Sequence, residues 1–101
     1  MIPEPIRVAA LYRFTAFEDP DALRAPLLAA CKEAGVKGTL LLAHEGINAT
    51  IAGTPHALKT VLDTIRALPG CDSLDVKFSD ARAMPFGRIK VRVKREIVTM
   101  G

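Results

Sequence analysis

A repeat constrains this chain more than any other feature. "DPDALRAPLLAACKEAG" (19–35) and "TPHALKTVLDTIRALPG" (54–70) align without a gap. Pro20 meets Pro55, Ala22 meets Ala57, Leu23 meets Leu58, Leu27 meets Leu62 and Gly35 meets Gly70, while Arg24 meets Lys59 in charge. Each segment reads as a helix. Asp19 and Thr54 can cap the first amides, and the proline that follows stands where a missing amide costs nothing. Leu23, Leu27, Cys31 and Ala34 make a stripe at helical spacing, and Leu58, Val61, Leu62, Ile65 and Leu68 make a second. Gly35 and the Pro69-Gly70 pair supply the stops. Pro26 sits awkwardly, because an interior proline deletes a backbone bond. A kink there, or a helix that starts near Leu23, is expected.

Strands bracket both helices. Over residues 6–17, Ile6, Val8, Ala10, Tyr12 and Phe14 share one face, and Arg7 and Arg13 share the other. Thr39 to Ala43 and Asn48 to Ala52 read as a buried hairpin. Leu74, Val76 and Phe78 alternate with Asp75, Lys77 and Ser79, "ARAMPFG" reads as a loop, and Ile89, Val91 and Val93 alternate with Lys90, Arg92 and Lys94. The order is β-α-β-β-α-β plus one more strand. Two strand-helix-strand units side by side make an α+β, ferredoxin-like sandwich with both helices on one face of an antiparallel sheet. The opposite face is where function is expected. The 101 residues suit one domain, and the 50% apolar content is enough for its core. No apolar run reaches the ~20 residues of a membrane span. The opening Met1-Ile2-Pro3-Glu4-Pro5 does not read as a signal peptide, so a cytoplasmic location is expected.

Three groups of residues carry possible chemistry. The first is His44-Glu45-Gly46-Ile47-Asn48, between the hairpin strands. His44, Glu45, Gly46 and Asn48 read as the tip of that hairpin, with Gly46 free to take positive φ. Asn48 stands four residues after His44, so the HExxH metalloprotease pattern fails. The second is a basic row, Arg88, Lys90, Arg92 and Lys94, at every second residue of the last strand. Neighbours on one strand face lie roughly 6.5–7 Å apart. That spacing is close to successive phosphates, so the row suits a nucleic-acid backbone. It equally suits a solvated edge protected by lysine. Arg7 and Arg13 are weaker candidates for the same role. The chain has one tyrosine, four phenylalanines and no tryptophan, and most of these rings fit the core pattern, so no aromatic stacking platform is expected. The third is the pair Cys31 and Cys71, which form no CxxC and have no histidine at ligand spacing. No metal, flavin or other cofactor is expected.

"VAALYRFTAFEDPDALRAPLLAAC", "GTLLLAHEGINATIAG" and "KFSDARAMPFGRIKVRVKREIVTMG" together resemble the N-terminal domain of the rhodanese-domain tRNA uridine hydroxylases. These enzymes install 5-hydroxyuridine at wobble position 34 with molecular oxygen. Members often carry "EGINGT" where this chain has Ala49 in place of the second glycine. The resemblance implies an acylphosphatase-like fold and a rhodanese domain, outside these residues, that holds the catalytic cysteine. Neither Cys31 nor Cys71 lies in such a loop. The chain is then a non-catalytic part of a tRNA-modifying oxidoreductase, its partners being tRNA and its own rhodanese domain. The alternative is an interdomain module without RNA contact, whose basic row pairs with acidic residues elsewhere in the protein. An independent acylphosphatase is not expected. That chemistry needs a glycine-rich phosphate loop after the first strand, and "RFTAFEDPD" is acidic and has no glycine.

Overall fold

The computed structural model describes residues 5–95. The leader reading of Met1–Glu4 and the end of the resemblance, Glu96–Gly101, lie outside them. The elements are β1 (Ile6–Phe14), α1 (Pro20–Ala34), β2 (Lys37–Ala43), β3 (Gly46–Gly53), α2 (Pro55–Arg66), β4 (Val76–Ala81) and β5 (Ile89–Val93). The strands form one sheet in the order β4-β1-β3-β2-β5. The first four pair antiparallel and β5 adds to β2 in parallel. This is the expected ferredoxin-like α+β fold with its extra strand.

The caps act as their residue types require. Asp19 accepts from the Ala22 amide and Thr54 from the Ala57 amide, each at 3.2 Å. Gly35 closes α1 at φ 75°. Its counterpart Gly70 has φ 76°, but α2 ends earlier, at Arg66, and Gly70 serves the turn after it. Helix α1 runs from Pro20 to Ala34 with Pro26 inside it, so the later start does not occur. The carbonyl that Pro26 leaves unbonded belongs to exposed Ala22, where water can satisfy it.

Both helices pack on the same sheet face. Helix α1 lies against β2 and β5, and α2 against β1 and β3. Leu27, Val36, Leu40, Leu42, Ile47, Ile51, Leu58, Val61 and Ile65 are fully buried there, with no buried polar residue among those described. Strand β1 sends Ala9 and Leu11 into this core, because they pair with Ile51 and Ala49 of β3. Its even-numbered residues therefore face away from the helices. No described helix is long and apolar enough to cross a membrane.

β4 and β5 stand at opposite edges, so residues 82–88 must cross the whole sheet. Four strand spacings come to roughly 19 Å, against roughly 25 Å of available reach, so the path is nearly direct. Phe86 shares a concavity with Thr39 and Lys90, which places the crossing over one end of the helix-free face. Chain returning at that end enters β5 in the direction of β2, which makes the new pair parallel.

Both cysteines are completely buried. Burial pushes the Cys31 thiol up to about 11. The Cys71 thiol is also raised, first by burial, with Arg13 opposing and Asp72 adding. Neither is an activated thiolate, and Cys71 is a core residue although it follows a turn.

Two outcomes are expected. At Gly46 (φ 148°) a Cβ would meet the Arg13 carbonyl oxygen, whereas at Gly35 it would meet nothing within 4 Å. Gly46→Ala should cost roughly 2–4 kcal/mol and Gly35→Ala about 1, read from urea denaturation midpoints. The Cys31 thiol is held neutral by the fold, so its contribution is full below pH ~9. As pH rises towards about 11 that contribution should fall by roughly 2–3 kcal/mol. The stability gap between wild type and Cys31→Ala should therefore narrow over that window, and a constant gap would contradict it.

Candidate nucleic-acid interface

The alternation in β5 does what its sequence implies. Ile89, Val91 and Val93 pair with Gly38, Leu40 and Leu42 on the helix side. Lys90 and Arg92 pair with Thr39 and Leu41, and so stand on the helix-free face, with Arg88 and Lys94 in phase at either end. The ladder continues past the strand ends, since the Gly38 amide donates to the Arg88 carbonyl (3.0 Å) and the Lys94 amide to Leu42 (2.7 Å). The row is thus fixed to the rigid sheet.

Two cations that the sequence did not single out join it. Arg24 and Lys32 of α1 line a groove of about 510 Å³ along the outer side of β5 with Arg88, Lys90, Arg92 and Lys94. The Arg24 Nε donates to the Val91 carbonyl at 2.8 Å, which also blunts the open strand edge. Their helical positions are the signal: Arg24, Leu28 and Lys32 are four apart and share one face of α1. Among the described residues, no carboxylate lies in ion-pair range of these six cations. The cluster is therefore an uncompensated positive field over one edge.

Arg7 and Arg13 do not belong to it. The β1 register puts both on the helix side, opposite the row they were grouped with. Arg7 lies 3.6 Å from Asp80 and over the Phe78 ring at 5.7 Å. The Arg13 Nε donates to the Gly70 carbonyl at 3.0 Å. Both are occupied in tying strand ends to their neighbours.

The hairpin tip is shorter than expected. Only His44 and Glu45 lie between β2 and β3. Gly46 opens β3 directly beneath the Arg13 carbonyl. Asn48, read as part of the tip, lies inside β3, half-buried and opposite Tyr12 and Leu41. The carbonyls of His44 and Glu45 accept from the amides of Phe17 (3.0 Å) and Thr15 (2.9 Å). The His44 Nδ1 lies 3.0 Å from the Phe17 carbonyl. A carbonyl only accepts, so Nδ1 carries the proton. The tip is thus a clamp on the chain leaving β1. The Thr15 and Phe17 amides of that connection are committed to it, and the Asp19 side chain to the α1 cap. Among the described residues no group of three or more His, Cys, Asp or Glu is placed to hold a metal ion.

The aromatic residues depart most from expectation. Only Phe17 is buried. Tyr12 is 60% exposed and Phe14 54%, and the two rings meet edge to face at 5.6 Å on the helix-free side of β1. Phe78 is 51% exposed, on the other side of the sheet. Cross-strand register links the first ring to the basic row: Tyr12 stands opposite Asn48, Asn48 opposite Leu41, and Leu41 opposite Arg92. The adjacent row runs Lys77, Ala10, Thr50, Thr39, Lys90.

A tRNA uridine(34) hydroxylase of Gluconobacter oxydans is 62% identical over 98 residues, covering 97% of this chain and 31% of its own length. One from Mesorhizobium japonicum is 60% identical over 98 residues, covering 97% of this chain and 32% of its own. The chain thus spans about a third of the length of the curated relatives it matches. Among solved structures, BlrP1 BLUF superposes with a TM-score of 0.69 at 19% identity, over 92% of this chain and 67% of that one. At that identity the likeness is one of fold. The family model described as UPF0176 acylphosphatase like domain matches residues 6–97, and the chain belongs to that family.

Proposed function

We propose that this chain is the N-terminal, non-catalytic part of a tRNA uridine(34) hydroxylase and that it holds the tRNA backbone along β5. One observation carries the reading. A row of four cations on one face of β5, joined by Arg24 and Lys32, has no carboxylate partner among the described residues. The relatives named above supply the substrate class. Oxygen-dependent 5-hydroxylation would belong to a rhodanese domain elsewhere in the protein, because both cysteines here are buried and protonated. Such an enzyme works in the cytoplasm, on tRNA, and this part also docks its own rhodanese domain.

The test is tRNA binding by the intact protein that carries this chain, with Lys90, Arg92 and Lys94 all changed to alanine. Affinity at low salt should fall about tenfold or more, and the slope of log affinity against log salt should lose about 2–3. Unchanged affinity and slope would remove β5 from RNA contact. The interdomain reading would then stand, with the row paired to acidic residues of the remaining protein.

A further inference from the structure

We infer that the helix-free sheet face is a stacking surface for unpaired RNA, with the rings of Tyr12 and Phe14 receiving bases from a strand whose phosphates follow β5. The inference rests on the reading of β5 as a phosphate track and adds the part of the RNA that is recognised. Its starting point is an energetic oddity. Two large rings stand side by side in water at the end of an inner strand, although no large aliphatic side chain among the described residues is exposed. Apolar surface left exposed in this way marks contact with something else.

Charge and register identify the occupant. Tyr12 and Arg92 share one cross-strand row, three strand spacings apart, or about 14–15 Å. The residues between them on this and the next row are Asn48, Leu41, Thr50 and Thr39, which build little relief and carry no charge. The face is thus a cationic track and an aromatic track, parallel and separated by a low uncharged floor. An apolar protein partner would match the rings and leave the cations unpaired. A paired RNA duplex would match the cations, but its bases are stacked inward and offer the rings nothing. Single-stranded RNA matches both, since unpaired bases can turn aside from the phosphates and lie on aromatic faces.

The chain carries its own probe. Within these 101 residues Tyr12 is the sole tyrosine and there is no tryptophan, so the emission of the 101-residue chain by itself reports that ring alone. Single-stranded RNA should quench the emission, whereas inorganic polyphosphate, which offers phosphates without bases, should bind without quenching. Tyr12→Ala and Tyr12→Leu should each weaken single-stranded RNA binding about five- to hundredfold, and Tyr12→Phe should retain it. The salt slope should stay the same in all three, and unchanged urea midpoints would show the fold intact. A duplex of the same strand length should bind more weakly than the single strand and be indifferent to Tyr12. Equal affinity of Tyr12→Leu and wild type for the single strand, or equal quenching by polyphosphate, would overturn the stacking surface while leaving the β5 track in place. If the β5 triple-alanine variant also binds RNA like wild type, the track itself falls. Protection of Tyr12 by the remaining protein, with no effect of its substitution on RNA affinity, would assign the face to domain docking instead.

Discussion

The parity of β1 decides what each face of this molecule presents. A strand with apolar residues on both faces has two plausible settings, and a one-residue slip exchanges them all. The setting adopted here is held by contacts along β3. Ala9 and Leu11 fit against Ile51 and Ala49 beneath the helices, and Gly46 lets the Arg13 carbonyl approach where any side chain would collide. From that choice follow the burial of small β1 side chains, the exposure of Tyr12 and Phe14, and the diversion of Arg7 and Arg13 to the helix side. The opposite setting would turn Tyr12 and Phe14 to the helix side, where Leu11 and Arg13 now stand.

The repeat made the fold legible, because its signals are local and agree with one another. Asp19 and Thr54 cap, Pro20 and Pro55 follow, and Gly35 and Gly70 both take positive φ. The alternation in β5 likewise specified the face of its cations, since Ile89, Val91 and Val93 leave the core only one choice. What the sequence left open depends on long-range contact. Strand β1 carries apolar residues at even and odd positions, so only the partner strand could assign its faces. Arg24 and Lys32 read as ordinary solvated helix positions until β5 is known to dock beside α1. Cys71 follows Pro69-Gly70, a context that signals a turn but not whether the chain then dives inward. The parallel entry of β5 depends on which end of the sheet residues 82–88 cross.

The same logic separates fold from chemistry. A ferredoxin-like frame can support phosphate chemistry when the connection after its first strand keeps its amides free. Here Thr15 and Phe17 give theirs to the hairpin carbonyls, and the Asp19 side chain holds the start of α1. The polar tip at His44 and Glu45, which invites a catalytic reading, is therefore structural in its backbone. It fixes the exit from β1 and, with it, the end of the strand that carries Phe14.

Recognition then falls to rigid elements. Both tracks of the helix-free face lie on strands held in the sheet ladder, so a ligand need not order them. The cations sit on an edge strand, where the field reaches furthest into solvent, and the rings sit at the end of an inner strand, beside β3 and beyond the pairing with β4. On the proposed reading, long-range attraction would act along the edge strand and short-range stacking on the inner one. A strand of RNA drawn in by its phosphates along β5 would have its bases directed across Thr39, Leu41, Asn48 and Thr50 towards Tyr12 and Phe14. Because β1 and β5 run in the same direction through β3 and β2, the two tracks stay in step along their length. The spacing between charge and ring is therefore set by the width of the sheet and not by the reach of any flexible side chain.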